Sequence, residues 1–389
     1  MMVSALLDGL RRELTFLRGS FWDLSLITWI PLVLLGTVAI QMSAGVMRDL
    51  PIIVIDRDGG IIARELTRRL DAAPGLSVAE EAPSMTIAED GVRSRKAFAI
   101  VLIDRDTTKT VLQGGTAQVV ALYNASYSTP AGSVLRDVGS VVQSYGAVLG
   151  LEESAAILGP ARVRRPPLSI RSTILFNPQG SYELQLVALI QPAVLHLIFM
   201  NAITGALGRE LRDGSIGSWI GERPAGFAAW AVFGKLLPYF CVFMAWGVAA
   251  TAYIAGLRGW PIAGSPLLIF VGYAAMYLAY IGVAVLFVGL TLTMGTALSA
   301  AGLYAGASFA FAGAVFPVES ASAFARVWSA LLPYTSFAKL LSEQWVMGSA
   351  AGQSMRQVLI MLIFLVVGIA VGLPRYVAAA KRPATWGRR

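Results

Sequence analysis

The chain has 389 residues, of which 56% are hydrophobic and 14% charged, and carries a formal net charge of +8. Soluble domains carry about 25% charged residues, so this balance, with a mean hydropathy of +0.66, marks an integral membrane protein. Its basic excess fits a membrane face better than nucleic acid, because Lys and Arg gather at the ends of spans. A lone cysteine, Cys241, excludes an intramolecular disulfide and is expected to pack in its apolar segment. A lone histidine, His196, excludes most His-based metal or triad chemistry, and no zinc spacing or GxxxxGKS-type phosphate loop occurs. Any ATP-driven work therefore falls to another chain.

Residues 1–20 read as an amphipathic helix. Val3, Leu6, Leu7, Leu10, Leu14, Leu17 and Phe21 recur at three- and four-residue steps, with Asp8, Arg11, Arg12, Glu13 and Arg18 on the other face. Directly before a span such a helix lies in the interface plane; the plain alternative is a charged lead-in. Residues 21–44 supply the roughly 20 apolar residues a span needs. They exceed the roughly 7–15 residues of a signal-peptide core, so an uncleaved anchor is expected.

Residues 45–171 are more polar. Strand-like runs at 52–55, 98–103 and 119–123 alternate with helix-like runs at 61–70, 84–96 and 133–156, the pattern of a small α/β domain. It ends at the basic run Arg162-Val163-Arg164-Arg165-Pro166-Pro167. In the turn Asp56-Arg57-Asp58, two carboxylates without a third ligand fit a solvated strand end better than a cation site.

Residues 172–389 hold five further apolar segments, near 182–207, 236–256, 267–290, 296–316 and 358–376. Six spans are expected in all. The tail carries Arg375, Lys381, Arg382, Arg388 and Arg389 without an acid, whereas 257–266 holds only Arg258. The positive-inside rule then places both termini in the cytoplasm and 45–171 outside. Gly302, Gly306, Ala310 and Ala314 form a small-residue ladder for a close neighbour, from this chain or a partner subunit. Residues 317–348 mix Glu319, Arg326, Lys339 and Glu343 with aromatics, as re-entrant or interfacial helices at the outer face do.

Between the second and third spans, Arg209, Glu210, Arg212, Asp213, Glu222 and Arg223 fall within fifteen residues. Charges so dense do not sit in hydrocarbon. Gly214, Gly217 and Gly221 permit sharp turns and Pro224 ends any helix before it. A short, structured loop at a membrane face is expected over 208–235.

Four stretches stand out in order: DLPIIVIDRD from Asp49 to Asp58 with Arg64-Glu65-Leu66; Phe176-Asn177-Pro178 before the second span; Arg209 to Ser215 with Gly234-Lys235; and Phe316-Pro317-Val318-Glu319 with Leu332-Pro333-Tyr334. Together they resemble the membrane subunit of type 2 ABC (ABC-2) exporters, in the bacterial branch with a large extracytoplasmic insert after the first span. The resemblance implies an α-helical polytopic membrane protein with six transmembrane helices and an inserted α/β extracytoplasmic domain. It implies a permease that moves an amphiphilic or drug-like molecule, a lipid or a polymer outward across a bacterial cytoplasmic membrane. ATP and Mg would be bound by a separate ATP-binding subunit, with no cofactor and no catalytic residue on this chain. It further implies a coupling helix within 208–225, with Arg209, Glu210, Arg212, Asp213, Gly214 and Arg223 meeting that subunit. Phe316, Pro317 and Glu319 fall in the outer gate or re-entrant region, and a second permease chain, identical or not, completes the export route. In a double-membrane bacterium the branch leaves room for a periplasmic adaptor and outer-membrane channel. The chain departs from the pattern at Gly59-Gly60, where Asn-Ser is expected, and at Asp213, where a small or neutral residue is expected.

His196 is an intramembrane functional candidate, weighed against a neutral imidazole bonding a neighbouring helix. Lys235 is expected to snorkel to the cytoplasmic interface. A competing function is a membrane-anchored receptor or scaffold whose outer domain binds a partner. A membrane enzyme would need clustered acids or histidines at the membrane face. A proton-coupled transporter would need several acids within the spans, which have essentially none beyond Glu183 at one edge.

Overall fold

Helix α1 (Met2–Gly19) buries Ala5, Gly9, Glu13 and Leu17, one residue per turn. This stripe shares only Leu17 with the leucine face expected from the periodicity. Val3, Leu7 and Leu14 stay exposed, which is the surface an interfacial helix offers to lipid. Helix α2 (Phe21–Ile27) starts at a Ser20 cap and α3 (Trp29–Gln41) follows after a break at Thr28. Pro31 has no N–H for the Ile27 carbonyl four residues back. The indole N–H of Trp246 donates to that carbonyl instead, at 2.9 Å.

The computed structural model describes residues 2–43, 45–123, 128–158, 181, 183–221, 223–313, 318 and 321–387. Phe176, Asn177, Pro178, Phe316, Pro317 and Glu319 lie outside the described residues, as does the Arg162–Pro167 run. Two compact units emerge: Ala44–Ser181, and Met1–Ser43 with Tyr182–Arg389.

The Ala44–Ser181 unit runs β1 (Leu50–Asp56), α4 (Ile61–Asp71), β2 (Leu76–Glu81), α5 (Met85–Arg93), β3 (Ala99–Ile103), α6 (Thr107–Leu112), β4 (Val119–Tyr123) and α7 (Ser128–Leu158). Its sheet order is β2-β1-β3-β4. β1 pairs parallel with β2 and β3, and β4 antiparallel with β3. The apolar run of β1 is buried on both faces. Ile52 and Val54 meet Leu66, Leu70 and Val134, while Ile53 and Ile55 meet Ala88 and Ile100. A central parallel strand covered on both sides needs that composition. At its end, Asp56 accepts the N–H of Asp58 (2.9 Å) and of Gly59 (2.8 Å). Asp58 accepts the Gly60 N–H (3.1 Å) and the Thr108 hydroxyl (2.5 Å). Both carboxylates thus hold a turn. A Cβ on Gly60 would lie 2.1 Å from the Thr108 hydroxyl oxygen, so glycine at 60 is what lets Thr108 reach Asp58.

The other unit continues with α8 (Ala188–Arg212), entered by a π turn at Glu183–Val187, and α9 (Ala225–Ala252), which leaves by another at Tyr253–Leu257. There follow α10 (Pro266–Thr291), α11 (Met294–Gly306), α12 (Ser308–Phe311), α13 (Ala323–Ala330), α14 (Pro333–Trp345) and α15 (Ala351–Ala379). Among the described residues, five stretches are long and apolar enough to cross a membrane: Phe21–Gln41, Glu183–Arg212, Gly226–Leu257, Pro266–Thr291 and Ala351–Ala379. The expected span at 296–316 forms α11 and α12, split at Ala307.

Helices α10 and α15 touch backbone to backbone. A Cβ on Gly368 would lie 2.1 Å from the Gly282 carbonyl oxygen, and one on Gly289 2.2 Å from that of Gly372. In the expected small-residue ladder, by contrast, Gly302 is half-buried near Asn201 and Ala314 lies outside the described residues. Gly306 has open space around it and Ala310 is exposed. The neighbouring stripe Ala297, Ala301 and Ala305 is the buried one. Cys241, expected in packing, is exposed on α9.

Candidate functional site

Helix α8 runs through Arg209-Glu210-Leu211-Arg212, a run of good helix formers. It stops at Gly214, which takes the left-handed φ of +69°. The loop expected over 208–235 is therefore shorter, from 213 to 224, and contains a π turn at Gly217–Gly221. This ending also sorts the charges. Arg209 and Glu210 are 6% and 4% exposed, while Arg212, Asp213, Ser218 and Arg223 lie on the exposed rim. Gly214 is half-buried between the two sets.

Inside, a charge cluster joins four elements. Arg209 donates to Glu13 of α1 (2.7 Å) and Asp23 of α2 (3.0 Å). Lys235 of α9 bonds Glu13 and also Glu210, the latter at 2.8 Å. Arg12 grips both oxygens of Glu210 (3.1 and 2.9 Å). The hydroxyls of Tyr239 and Ser215 donate to Glu13 and Glu210, each at 2.5 Å. Phe16 lies 3.3 Å from the Arg209 guanidinium carbon. The ring of buried Trp219 sits near both Arg12 and Lys235, at 5.6 and 5.4 Å.

Glu13, Asp23 and Glu210 balance Arg12, Arg209 and Lys235, so the cluster is neutral overall. Burying such charges is costly unless every one is paired and hydrogen-bonded, and here they are. Lys235 is 1% exposed, so it does not snorkel; it is held by two acids.

Glycines let α1 come close enough to join this cluster. A Cβ on Gly9 would lie 2.0 Å from the Ala231 carbonyl oxygen, and one on Gly234 2.0 Å from that of Leu6. Glu13, one turn beyond Gly9, is thereby carried to Lys235. On the rim, Arg212 pairs with Asp213 (2.8 Å). Arg223 approaches Asp8 at 3.5 Å.

A second clasp closes the far end of α8. Glu183, 1% exposed, accepts from Arg258 (2.5 and 3.0 Å) and from the Trp260 indole (3.0 Å). Arg258 also donates to the Ser43 carbonyl (2.5 Å). At about 1.5 Å per residue, the two clasps are about 40 Å apart.

Between them His196 is fully buried and stacked between Tyr280 and Tyr334, both at 4.7 Å. Its ring nitrogens face the carbonyls of Pro192 (3.0 Å) and Ala305 (3.3 Å). A neutral imidazole donates to one of these. The ring thus ties α8 to α10, α11 and α14.

Arg209 and Glu210, singled out from the sequence for partner contact, face inward in this structure. Glu13, Asp23, Arg12 and Tyr239 were absent from that expectation. The one signal for Glu13 was its four-residue step from Ala5 and Gly9.

Among the described residues, five helices long and apolar enough to cross a membrane define a multi-pass membrane protein. Residues 21–373 match the ABC-2 family transporter protein family. The chain belongs to that family and is a transporter membrane component, and membership implies an ABC-type ATP-binding partner in general. No curated protein and no solved structure matches the chain.

Proposed function

We propose that this chain is the permease subunit of an ATP-driven exporter in a bacterial cytoplasmic membrane. The cargo is amphiphilic or drug-like, a lipid or a polymer, moved outward by alternating access. A separate ATP-binding subunit holds ATP and Mg, and this chain carries no cofactor. The observation that carries the reading is the sorting of charges over 208–225. Arg209 and Glu210 lock the connection to α1 and α9 from within, while Arg212, Asp213, Ser218 and Arg223 stay on its rim. Force applied to such a rim reaches the spans as rigid-body movement instead of being lost in side-chain rearrangement.

Contacts of both chain ends with this connection support placing both termini on one side. Arg12 bonds Glu210, and the Gly387 N–H bonds the Leu211 carbonyl. The basic tail makes that side cytoplasmic and residues 45–171 extracytoplasmic, where an adaptor of an outer-membrane channel would dock. In this reading α11 and α12 complete a sixth crossing. The uncovered face at Gly306 and Ala310 favours a second permease chain as its neighbour.

The test is purification from native membranes, with co-purifying proteins identified and ATPase activity assayed. A stoichiometric ATP-binding subunit is expected, lost in the Arg212→Glu/Arg223→Glu variant. Recovery of the chain without any ATPase, under conditions that preserve other membrane complexes, would favour a membrane-anchored receptor or scaffold.

A further inference from the structure

We propose that the segment following α15 is a clip that positions the α8–α9 connection, with Trp386 as the positioning residue. The connection's role in docking an ATP-binding subunit rests on the reading above; the clip itself rests on geometry alone.

After α15 the chain folds back through a 3-10 turn at Pro383–Thr385. The turn is fixed internally. The Trp386 indole N–H donates to the Ala379 carbonyl (2.9 Å), and the Thr385 hydroxyl to that of Arg382 (2.7 Å). The Gly387 N–H then reaches the Leu211 carbonyl at 3.1 Å. Leu211 lies in the last turn of α8, and its carbonyl also accepts the Gly214 N–H at 3.3 Å. The Gly387 bond therefore adds to the helix end a further donor from 176 residues away, counting 211 to 387.

The glycines of the connection show what this contact requires. Of Gly214, Gly217 and Gly221, only Gly214 has a left-handed φ, so turning does not explain the other two. A Cβ on Gly217 would lie 2.3 and 2.5 Å from Cη2 and Cζ2 of Trp386. One on Gly214 would lie 3.5 Å from its Cε3, and one on Gly221 2.9 Å from the Ala380 carbonyl oxygen. The indole thus lies across Gly214 and Gly217, and the end of α15 lies against Gly221. Any side chain at 217 would lift the ring away. The opposite side of the connection is held by Ser215, Ile216, Trp219 and Ile220, which face the charge cluster and core. With Trp386 gone, one wall is lost while the other stays. The connection remains folded, but its rim charges no longer have one position. A partner that binds only one arrangement then loses affinity by the fraction of time that arrangement is populated.

The test uses the full chain in lipid nanodiscs and the ATP-binding subunit that co-purifies with it. Hydrogen exchange is read over 211–221, and affinity for the subunit is read separately. Trp386→Ala and Gly217→Ala are each expected to speed exchange there and to weaken binding about tenfold, with the global thermal midpoint near that of the parent. Combined, they should be no worse than Trp386→Ala alone, because the first change removes what the second would displace. Trp386→Phe, which keeps a ring over Gly217, should retain most of the affinity. Unchanged exchange in Trp386→Ala would overturn the clip. Faster exchange with unchanged affinity would overturn its positioning role. A parent chain that binds no ATP-binding subunit would instead sink the exporter reading, and the exchange data would still decide the clip.

Discussion

Glu13 gathers Lys235, Arg209 and Tyr239 on one carboxylate that has no exposed surface. Removing one member of a buried pair leaves an uncompensated charge, which costs about 3–5 kcal/mol. Glu13→Gln and Lys235→Met should each destabilise the chain by about that much in detergent unfolding. The double variant should cost less than their sum, since the two residues share one interaction. Near-neutral, additive effects would show that the cluster is solvated. A different carboxylate sets a pH dependence. At Asp58 burial acts to raise the pKa, but bonds from Thr108 and the Gly60 N–H outweigh it and hold the carboxyl below its ordinary value. Its contribution is therefore complete above the unfolded value of about 3.9 and is lost as pH falls through the lower folded one. Thr108→Val should expose the Gly60 amide to faster exchange at neutral pH, with the difference from the parent fading as Asp58 protonates. A difference that persists in strong acid would contradict this.

The elements depend on glycines at close crossings. Gly234→Val would drive a side chain into the Leu6 carbonyl, so α1 should lift from α9 and take Arg12 and Glu13 with it. Trypsin cleavage at Arg11 and Arg12 in nanodiscs should become much faster than in the parent; unchanged cleavage would mean that α1 is held by lipid alone. In the same way Gly372→Leu should separate α10 from α15 and lower stability by about 1–3 kcal/mol, as overpacking does. Such crossings were poorly legible beforehand. The leucine periodicity of α1 was plain, yet Leu7 and Leu14 on it stay exposed, because the protein-facing stripe is Ala5, Gly9 and Glu13, with Leu17 the one leucine that joins it. Likewise Gly302 and Gly306 looked like a packing ladder, while the seam that closes is Gly282 and Gly289 against Gly368 and Gly372. Spacing shows that a helix has a small-residue face. It does not show which helix arrives there.

Across the whole molecule, legibility follows burial pattern. The strands at β1, β3 and β4 were readable because each is a compact apolar run, whereas β2, LSVAEE, ends in exposed Glu80 and Glu81 as a charged edge strand does. The long apolar helices were readable by length alone. The site was half legible: its charge density and glycines stood out, but which charges turn inward is set by where α8 ends and by a partner helix some two hundred residues earlier. Trp386 carried no local signal, since its meaning lies in Gly214 and Gly217 across the fold.

The central claim is that the rim of the α8–α9 connection receives an ABC ATP-binding subunit. The most direct measurement is photocrosslinking in native membranes, with the reactive group placed at Arg212 in one variant and at Arg258, by the far clasp, in another. The account predicts an adduct with an ATP-binding subunit from position 212 and none from 258. An adduct from 258 alone, or none from 212 where the two proteins co-purify, would contradict it.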